Sequence, residues 1–320
     1  MKKLLKMAIF ALGLATLLSC KNDSKLTVGS ILFDTSNEWF VEAIAGMQDA
    51  SKDLNANLSV VDIHYDGDAE RDSIREQLKN KAGAIVICPL TVEDTGNALT
   101  EATKLGVPVV TWNTVVEPKP NAEILVDAKK LGSATGDYLV DYVHKNGLKD
   151  LKAFLFIDKS FSIGIARCDG FRESIKPLVE RGELEIVAET EGQLIEEIKV
   201  TLKKMLAERS DINFIWCWNQ MTLVGTVEVL KELGRSDILV TGTDMSLELA
   251  KDMLGDEVNL IAVTTQQPYK MGYEAVATAA KLANGVTAEK EISIPTLTYT
   301  KDDKAALEEY VKIHAKYVTK

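Results

Sequence analysis

Short apolar runs rich in β-branched residues alternate with amphipathic stretches from residue 26 almost to the end of the chain. The alternation predicts strands at 26–33, 58–63, 84–88, 107–112, 124–126, 151–157, 184–188, 212–217, 238–241, 260–263 and 292–297. It predicts helices at 38–54, 69–79, 92–104, 131–144, 164–178, 195–206, 223–230, 246–253, 268–282 and 302–317. Near-continuous apolar strands separated by helices are typical of parallel sheets covered on both faces. Since a domain has roughly 150 residues and the chain has 320, we predict an α/β fold of two doubly wound, Rossmann-like lobes.

The charge and the content of cysteine and histidine exclude several classes of protein. The chain has 37 Lys and Arg against 48 Asp and Glu, a net charge of −11, so it gains nothing from counterion release on a nucleic acid. Four cysteines in a chain of this length do not make a disulfide scaffold, and the three histidines show no metal-ligand spacing. We therefore predict no nucleic-acid partner, no metal and no cofactor. Cys88 and Cys217 lie in apolar runs and are expected to be buried thiols.

The first twenty residues have the pattern of an export signal. Lys2, Lys3 and Lys6 precede an apolar run that is too short to span a bilayer and is typical of a signal peptide. The Leu-Leu-Ser-Cys that ends at Cys20 resembles a bacterial lipobox, which predicts a signal at 1–19, a lipid anchor on Cys20 and a polar tether at 20–25. The alternative is ordinary secretory cleavage beside an incidental cysteine. We expect an exported protein that its lipid holds on a bacterial membrane, facing the periplasm or the cell exterior.

The carboxyl ends of the predicted strands carry aromatic rings and planar polar side chains, and in a doubly wound sheet this is where ligands bind. Aromatic rings stack on C–H faces, while Asn, Gln, Asp and Arg make paired hydrogen bonds, so the combination suits a polyhydroxylated ligand. The alternative for any single residue is a Trp in the core, or an Asn or Asp that caps a helix. The residues at these ends include Asn37, Trp39, Phe40, Trp112, Asn113, Asp158, Arg167, Gln193, Asn219, Asp244 and Gln266.

Six segments of the chain are informative through their order and spacing. They are Asn37-Glu38-Trp39-Phe40, Gly106-Val107-Pro108-Val109-Val110-Thr111, Arg167-Cys168-Asp169-Gly170-Phe171, Asn219, Gly242-Thr243-Asp244 and Gln266-Gln267-Pro268. Together, over about residues 26–300, they resemble the type I periplasmic sugar-binding proteins, the ribose-, galactose- and autoinducer-2-binding group that serves ABC importers. The resemblance implies a binding protein whose lobes close on a solute.

The resemblance also implies a role for each matching residue. Arg167 would donate bidentately to ring or hydroxyl oxygens, Asp244 and Asn219 would accept from hydroxyls and orient them, and Trp39 and Phe40 would stack on the ligand. The full set of expected ligand-binding residues is Asn37, Trp39, Phe40, Trp112 and Asn113 from the first lobe, Arg167, Gln193, Asn219 and Asp244 from the second, and Gln266 at the hinge.

In this family the chain crosses between the lobes three times, and here the resemblance places the crossings near Asp127, Gln266 and 294–297. The first lobe would comprise 26–126 with 266–296, and the second 127–265 with 297–320. A solute that bridges both lobes favours the closed state, which the permease and ATPase of an ABC importer would read. We expect a monomer.

The identity of the ligand stays open. Ribose-type members often carry Asp-Arg where this chain has Asn113-Thr114, Gln220 stands where an acidic residue is common, and no aromatic residue stands near Gln193. We therefore expect a less charged pocket for an aldose, a deoxy sugar, a sugar alcohol or another small polar solute.

Three other functions compete with import. A sensor would present a sugar or an autoinducer-2-like signal to a chemoreceptor or a histidine kinase, and the sequence does not separate it from transport. A transcription regulator shares the core fold but needs DNA-binding helices where this chain has a signal. An enzyme needs a nucleophile with a base, or a metal. The acidic stretch 62–68 resembles the start of a calcium loop, but the twelfth position counted from Asp62 is Ser73, where such a loop needs Glu. Asp158 has no evident acid/base partner, so we predict no enzyme.

Overall fold

The structure is a computed structural model that describes residues 25–192 and 194–318. Its strands are β1 (Thr27–Leu32), β2 (Asn57–Asp62), β3 (Ala84–Ile87), β4 (Val109–Trp112), β5 (Ala122–Leu125), β6 (Leu151–Ile157), β7 (Leu184–Glu191), β8 (Phe214–Cys217), β9 (Leu239–Thr243), β10 (Asn259–Thr265), β11 (Glu291–Ser293) and β12 (Leu297–Thr300). Its helices are α1 (Glu38–Asp53), α2 (Gly67–Lys79), α3 (Val92–Lys104), α4 (Ala128–Asn146), α5 (Ser162–Glu180), α6 (Ile195–Glu208), α7 (Gln220–Leu233), α8 (Leu247–Leu254), α9 (Pro268–Ala283) and α10 (Lys304–Val318). The expected signal at 1–19, Cys20 and Gln193 lie outside the described residues.

The strands form two sheets with the same winding. The first has the order β11-β5-β4-β3-β1-β2 and the second β12-β10-β9-β8-β6-β7. Neighbouring strands are parallel except β12, which runs antiparallel to β10. In each sheet the winding direction reverses once, between β1 and β3 and between β6 and β8, which is the pattern of a doubly wound fold. The predicted α/β fold with two such lobes is confirmed.

The single extended segment predicted at 292–297 is instead two strands on different sheets. Ile294 is buried and its backbone N–H donates to the carbonyl of Leu125 at 2.8 Å, in the first lobe. Pro295 has no N–H and cannot continue a ladder of hydrogen bonds. The chain therefore leaves the first sheet here and joins the edge of the second as β12, and this edge strand also departs from the purely parallel sheets expected.

Alternation along the strands divides the core of the first lobe into two layers. Ile85 and Ile87 of β3 pack on one face of the sheet, while Ala84 and Val86 pack on the other, as the period of two in a strand requires. Both faces are covered by helices, which explains why these strands are apolar at every position.

The course of the chain between the lobes follows from which helices cover which sheet. Helix α4 packs on α5 and on strands of the second sheet, whereas α9 packs on α1 and on β3, β4 and β5 of the first. The chain thus passes to the second lobe after β5, returns after β10 and crosses again between β11 and β12. The lobe boundaries predicted at 126, 265 and 296 remain a prediction.

The described part of the chain contains three cysteines, and they are unpaired. Cys88, Cys168 and Cys217 are all buried thiols, which confirms the expectation for Cys88 and Cys217. Among the helices between residues 25 and 318, with Gln193 left aside, none is long and apolar enough to cross a membrane.

Candidate ligand site between the lobes

A cavity of about 150 Å³ lies between the two lobes. Its walls come from the segments that follow β1, β4, β8, β9 and β10 and from α5, so both sheets present their carboxyl ends to it. The cavity is smaller than the roughly 300–1,000 Å³ of sites for drug-sized ligands, which favours a small solute. It is lined by Phe33, Asn37, Trp39, Phe40, Asn113, Ile163, Arg167, Trp218, Asn219, Gln220, Met221, Asp244 and Gln266.

The structure brings most of the expected ligand-binding residues to this one cavity. Trp112 is not among the lining residues, and Gln193 lies outside the described part of the chain. Contact with a ligand is a prediction for each of them. Those at the cavity are Asn37, Trp39, Phe40, Asn113, Arg167, Asn219, Asp244 and Gln266.

Aromatic side chains form the wall on the side of the first lobe. Trp39 stacks on Trp112 with ring centroids 5.3 Å apart and an angle of 13° between the planes. Phe40 forms T-shaped pairs with Phe33 and Trp39, with ring centroids 4.7 Å and 4.9 Å apart. Stacked and edge-to-face pairs of this kind are favourable arrangements for aromatic rings, so these contacts stabilise the wall.

The place of Trp112 corrects its expected role. Its side chain is fully buried, whereas Trp39 in front of it keeps 8% of its surface exposed. Trp112 is the last residue of β4, and strand alternation turns its ring into the core rather than toward the cleft. Trp112 thus supports the wall, and it is Trp39 that is placed to meet a ligand.

Asn37 and Asn219 are helix caps as well as wall residues. The Oδ1 atom of Asn37 accepts from the N–H of Trp39 at 2.9 Å, at the start of α1. The Oδ1 atom of Asn219 accepts from the N–H of Thr222 at 2.9 Å, in a capping box at the start of α7. The Oδ1 atom of Asn219 also accepts from the Oγ1 hydroxyl of Thr222 at 2.9 Å, so both of its lone pairs are used and its Nδ2 group is left for a ligand. The Oδ1 atom of Asn37 keeps one lone pair, in addition to the Nδ2 group. The expectation that Asn219 accepts from a hydroxyl is therefore revised: Asn219 is placed to donate.

Asn113 and Asp244 occupy equivalent places in the two lobes. Asn113 follows β4 and Asp244 follows β9, and both have a backbone φ of 69°. Asn and Asp adopt this left-handed conformation more readily than other residues with a side chain. The amide Nδ2 of Asn113 lies 4.0 Å from the Sγ of the buried Cys88, so its Oδ1 remains as an acceptor on the first lobe's wall.

A buried ion pair forms the centre of the second lobe's wall. Arg167 Nη1 donates to Asp244 Oδ2 at 2.6 Å, and Gln266 Nε2 donates to Asp244 Oδ1 at 2.9 Å. The same Nη1 also lies 3.1 Å from the carbonyl of Trp218 and 3.2 Å from Thr243 Oγ1. The Arg167 and Asp244 side chains are only 3% and 7% exposed.

These contacts decide what Arg167 can offer to a ligand. Nη1 is already used within the protein, and Nε is buried with no partner among the described residues. Bidentate donation to a ligand, expected from the resemblance, stays a prediction, and the edge formed by Nε and Nη2 is the one that could make it. Gly132 of α4 helps to place the residue, since a Cβ there would come within 1.9 Å of the Arg167 carbonyl.

Five lining residues were not in the expected set. Gln220 is held by a 3.4 Å contact from its Nε2 to the carbonyl of Met245, and the Arg167 guanidinium lies 6.0 Å from the centre of the Trp218 ring. Trp218 and Gln220 follow β8 directly and could have been included on that ground, whereas the apolar members gave no signal of function in the sequence. The five are Phe33, Ile163, Trp218, Gln220 and Met221.

The unused polar groups of the cavity are a mixed set of donors and acceptors. A hydroxyl group donates and accepts at once, so a molecule with several hydroxyls can satisfy both kinds of group. The donors include the Nδ2 groups of Asn37 and Asn219 and the Nε and Nη2 groups of Arg167; the acceptors include Oδ1 of Asn113, Oε1 of Gln266 and the spare lone pairs of Asn37 and Asp244.

Two doubly wound lobes with a small polar and aromatic cavity between them define a two-lobed solute-binding protein. The family model described as "Periplasmic binding protein domain" matches residues 28–287. The chain belongs to this family, and binding a solute is its role.

Several named relatives and solved structures resemble this chain over most of its length. The chain is 26% identical over 290 residues to the ABC transporter periplasmic-binding protein YphF of Escherichia coli, covering 88% of each chain. It is 23% identical over 287 residues to the ribose import binding protein RbsB of the same organism, covering 89% of this chain and 94% of that one. A carbohydrate transporter solute-binding protein from Agrobacterium radiobacter, solved with D-arabinose, has a TM-score of 0.76 at 19% identity and covers 91% of this chain and 99% of its own.

Proposed function

We propose that this protein captures a sugar or a sugar-like polar solute for an ABC importer, outside the cytoplasm. The observation that carries the proposal is the network of Arg167, Asp244 and Gln266 on one wall, opposite the ring of Trp39 on the other. Polar groups on one wall can bind hydroxyls while the ring packs against C–H groups. The names of the relatives, which include a ribose import protein, support the same class of solute.

The electrostatics of the site favour an uncharged solute. Among the described residues that line this cavity, Arg167 and Asp244 are the only ionisable ones, and they neutralise each other. A charge buried without a partner is costly, so a sugar acid or an amino sugar would bind less well than its neutral parent. This agrees with the less charged pocket expected from Asn113 in the sequence.

We further propose that the mature protein is a monomeric lipoprotein with its lipid on Cys20, that it works with an importer permease and ATPase, and that it is not an enzyme. The lobes would divide at 126, 265 and 296, so that closing brings the two walls of the cavity together. The support for the anchor is the sequence before Cys20, namely three Lys and an apolar run.

A titration followed by tryptophan fluorescence tests the proposed ligand class, since Trp39 and Trp218 both line the cavity. The protein would first be unfolded and refolded to remove any bound solute. The panel is pentoses, hexoses, deoxy sugars, polyols, autoinducer-2 and nucleosides. A saturable change with one chemical class is the expected result, and no change with any member would contradict the proposal.

A further inference from the structure

Helix α1 makes a hydrogen bond to the opposite lobe at its first residue. Asn37 and Trp39 line the cavity, and Glu38 between them does not. The Oε1 atom of Glu38 accepts instead from the backbone N–H of Leu247, the first residue of α8. Since α1 covers the first sheet and α8 packs on β10 and α10 of the second lobe, this bond joins the two lobes.

The hydrogen bond satisfies a group that α8 itself leaves unpaired. The first N–H groups of a helix have no partner within it, and they attract negative charge. Ser246 Oγ accepts from Leu249 N–H at 3.2 Å and so caps one of them. Glu38 accepts from another, that of Leu247. Hydrogen bonds to a carboxylate are stronger than those between neutral groups.

The charges near Glu38 come from both lobes. Lys251, one turn along α8, attracts the carboxylate, while Glu248 in the first turn of α8 repels it. Glu42, one turn along α1, is also close enough for its pKa to be affected by Glu38. Burial at the interface raises the pKa of Glu38, and the hydrogen bond from Leu247 acts in the opposite direction.

The segment that receives Glu38 is continuous with the ligand wall. Asp244, which lines the cavity, lies three residues before Leu247. The segment is tied to the second lobe, because Met245 N–H donates to the carbonyl of Thr264 at 3.1 Å. On the other side, Glu38 is flanked by two wall residues of α1. The hydrogen bond can therefore exist only when the two walls of the cavity face each other.

We propose that Glu38 is a positioning residue for ligand capture, whose hydrogen bond to Leu247 stabilises the closed arrangement of the lobes. This inference rests on the proposed function, since it concerns closing on a solute. In the open protein Glu38 would be in water, so a solute enters a cleft in which the bond is absent. Once the lobes close, the bond has to break before the solute can leave. Glu38 should therefore slow dissociation and leave association nearly unchanged.

The experiment compares dissociation rates of full-length protein carrying Cys20→Ser, with Glu38→Ala, Glu38→Gln or Glu248→Ala added. The probes are D-ribose, D-arabinose and D-galactose, mixed by stopped flow and followed by tryptophan fluorescence. We expect Glu38→Ala to release a bound sugar about tenfold faster, as losing a hydrogen bond to a charged group implies. Glu38→Gln keeps an acceptor oxygen and should fall between Glu38→Ala and the parent.

Glu248→Ala is the matched control. It removes a carboxylate next to Leu247 whose ion pair, with Lys251 at 3.3 Å, stays within α8. Because Glu248 repels the Glu38 carboxylate, its loss should leave the dissociation rate equal to that of the parent or slightly lower, whereas Glu38→Ala should raise it. Urea unfolding of the sugar-free proteins should give nearly the same free energy for the parent and Glu38→Ala.

The possible outcomes separate this inference from the proposed function. Equal dissociation rates for the parent and Glu38→Ala would overturn the role of Glu38 and leave the solute-binding function standing. A large loss of stability in sugar-free Glu38→Ala would assign the residue to folding and also overturn it. If the parent binds none of the three sugars or the wider panel, the proposed sugar class is contradicted, and this inference falls with it.

Discussion

Tyr310 donates a hydrogen bond to Oε1 of Glu42 at 2.7 Å, and this bond ties α10 to α1. Glu42 is only 1% exposed, and burial raises its pKa to about 8. Nδ1 of His314 donates to the carbonyl of Tyr310 at 2.8 Å, and its Nε2 lies 3.5 Å from Oε2 of Glu42. Burial lowers the pKa of His314. Both groups are therefore neutral near pH 7, and the contact between the helices is a neutral network rather than an ion pair.

The first prediction concerns the dependence of stability on pH. The folded protein holds a proton on Glu42 up to about pH 8, whereas an exposed Glu loses it near 4.5. The contribution of protonated Glu42 to the free energy of unfolding is complete below the pKa of Glu42 in the unfolded chain. It is lost as the pH rises through the pKa of Glu42 in the folded protein. Between these values the free energy of unfolding should fall as the pH rises, by at most about 1.4 kcal/mol per pH unit.

Glu42→Gln should flatten this part of the profile, because glutamine still accepts from Tyr310 but does not ionise. His314 has the opposite effect on the free energy of unfolding, because burial lowers its pKa, and this effect falls mainly below its unfolded pKa of 6.5. Between pH 6.5 and 8, the difference between the urea-unfolding profiles of the parent and Glu42→Gln therefore reports mainly on Glu42. Parallel profiles for Glu42→Gln and the parent would contradict the raised pKa.

A second prediction separates capping from ligand binding at Asn219. Asn219→Asp keeps the oxygen that caps α7 and removes the Nδ2 donor, so stability should be retained while sugar affinity falls. Asn219→Ala removes both and should cost about 1 kcal/mol in the free energy of unfolding as well. Urea unfolding and fluorescence titration measure the two effects. If Asn219→Asp binds normally, the residue is a cap alone.

The buried pair of Arg167 and Asp244 gives a third prediction. Replacing either residue by Ala leaves the other charge buried without its partner, which typically costs about 3–5 kcal/mol of stability. Sugar affinity should also fall, by about 1–3 kcal/mol or more for the lost polar partner. Removing both charges together should cost less than the sum of the single changes. Variants that fold and bind as the parent does would show that neither residue contacts the solute.

A fourth prediction distinguishes the two stacked tryptophans. Trp39→Leu should weaken sugar binding strongly, since it removes the ring that faces the cavity. Trp112→Leu should mainly lower stability, because a fully buried ring is replaced by a smaller side chain that leaves space in the core. Titration and thermal unfolding of both variants provide the comparison. An equal loss of affinity in the two would mean that the supporting ring matters as much as the wall.

The fifth prediction concerns the anchor. Cys20→Ala should release the protein from membranes, since no other residue is proposed to carry lipid. Fractionation of cells that express the variant and the parent measures this directly. A variant that stays with the membrane fraction would rule out Cys20 as the attachment site.

Much of this protein could be predicted from local patterns in the sequence. The alternation of apolar runs and amphipathic stretches determined the doubly wound fold, because periodicity specifies strands and helices locally and covered parallel strands must be apolar on both faces. It also determined where the site lies, since the carboxyl ends of parallel strands meet at one edge of each sheet. That is why Asn37, Asn113, Arg167 and Asp244 come together at one cavity.

Only the tertiary structure decided which atoms of those residues are free to bind. The oxygen of Asn219 caps a helix, one nitrogen of Arg167 is used by Asp244, and the ring of Trp112 lies behind that of Trp39. The bond from Leu247 to Glu38 joins residues 209 positions apart in the chain. The contact between Glu38 and Leu247 depends on how the two lobes face each other, and the other three depend on packing within one lobe. Hydrogen-bond geometry is decided over tenths of an ångström, far finer than any spacing along a sequence can specify.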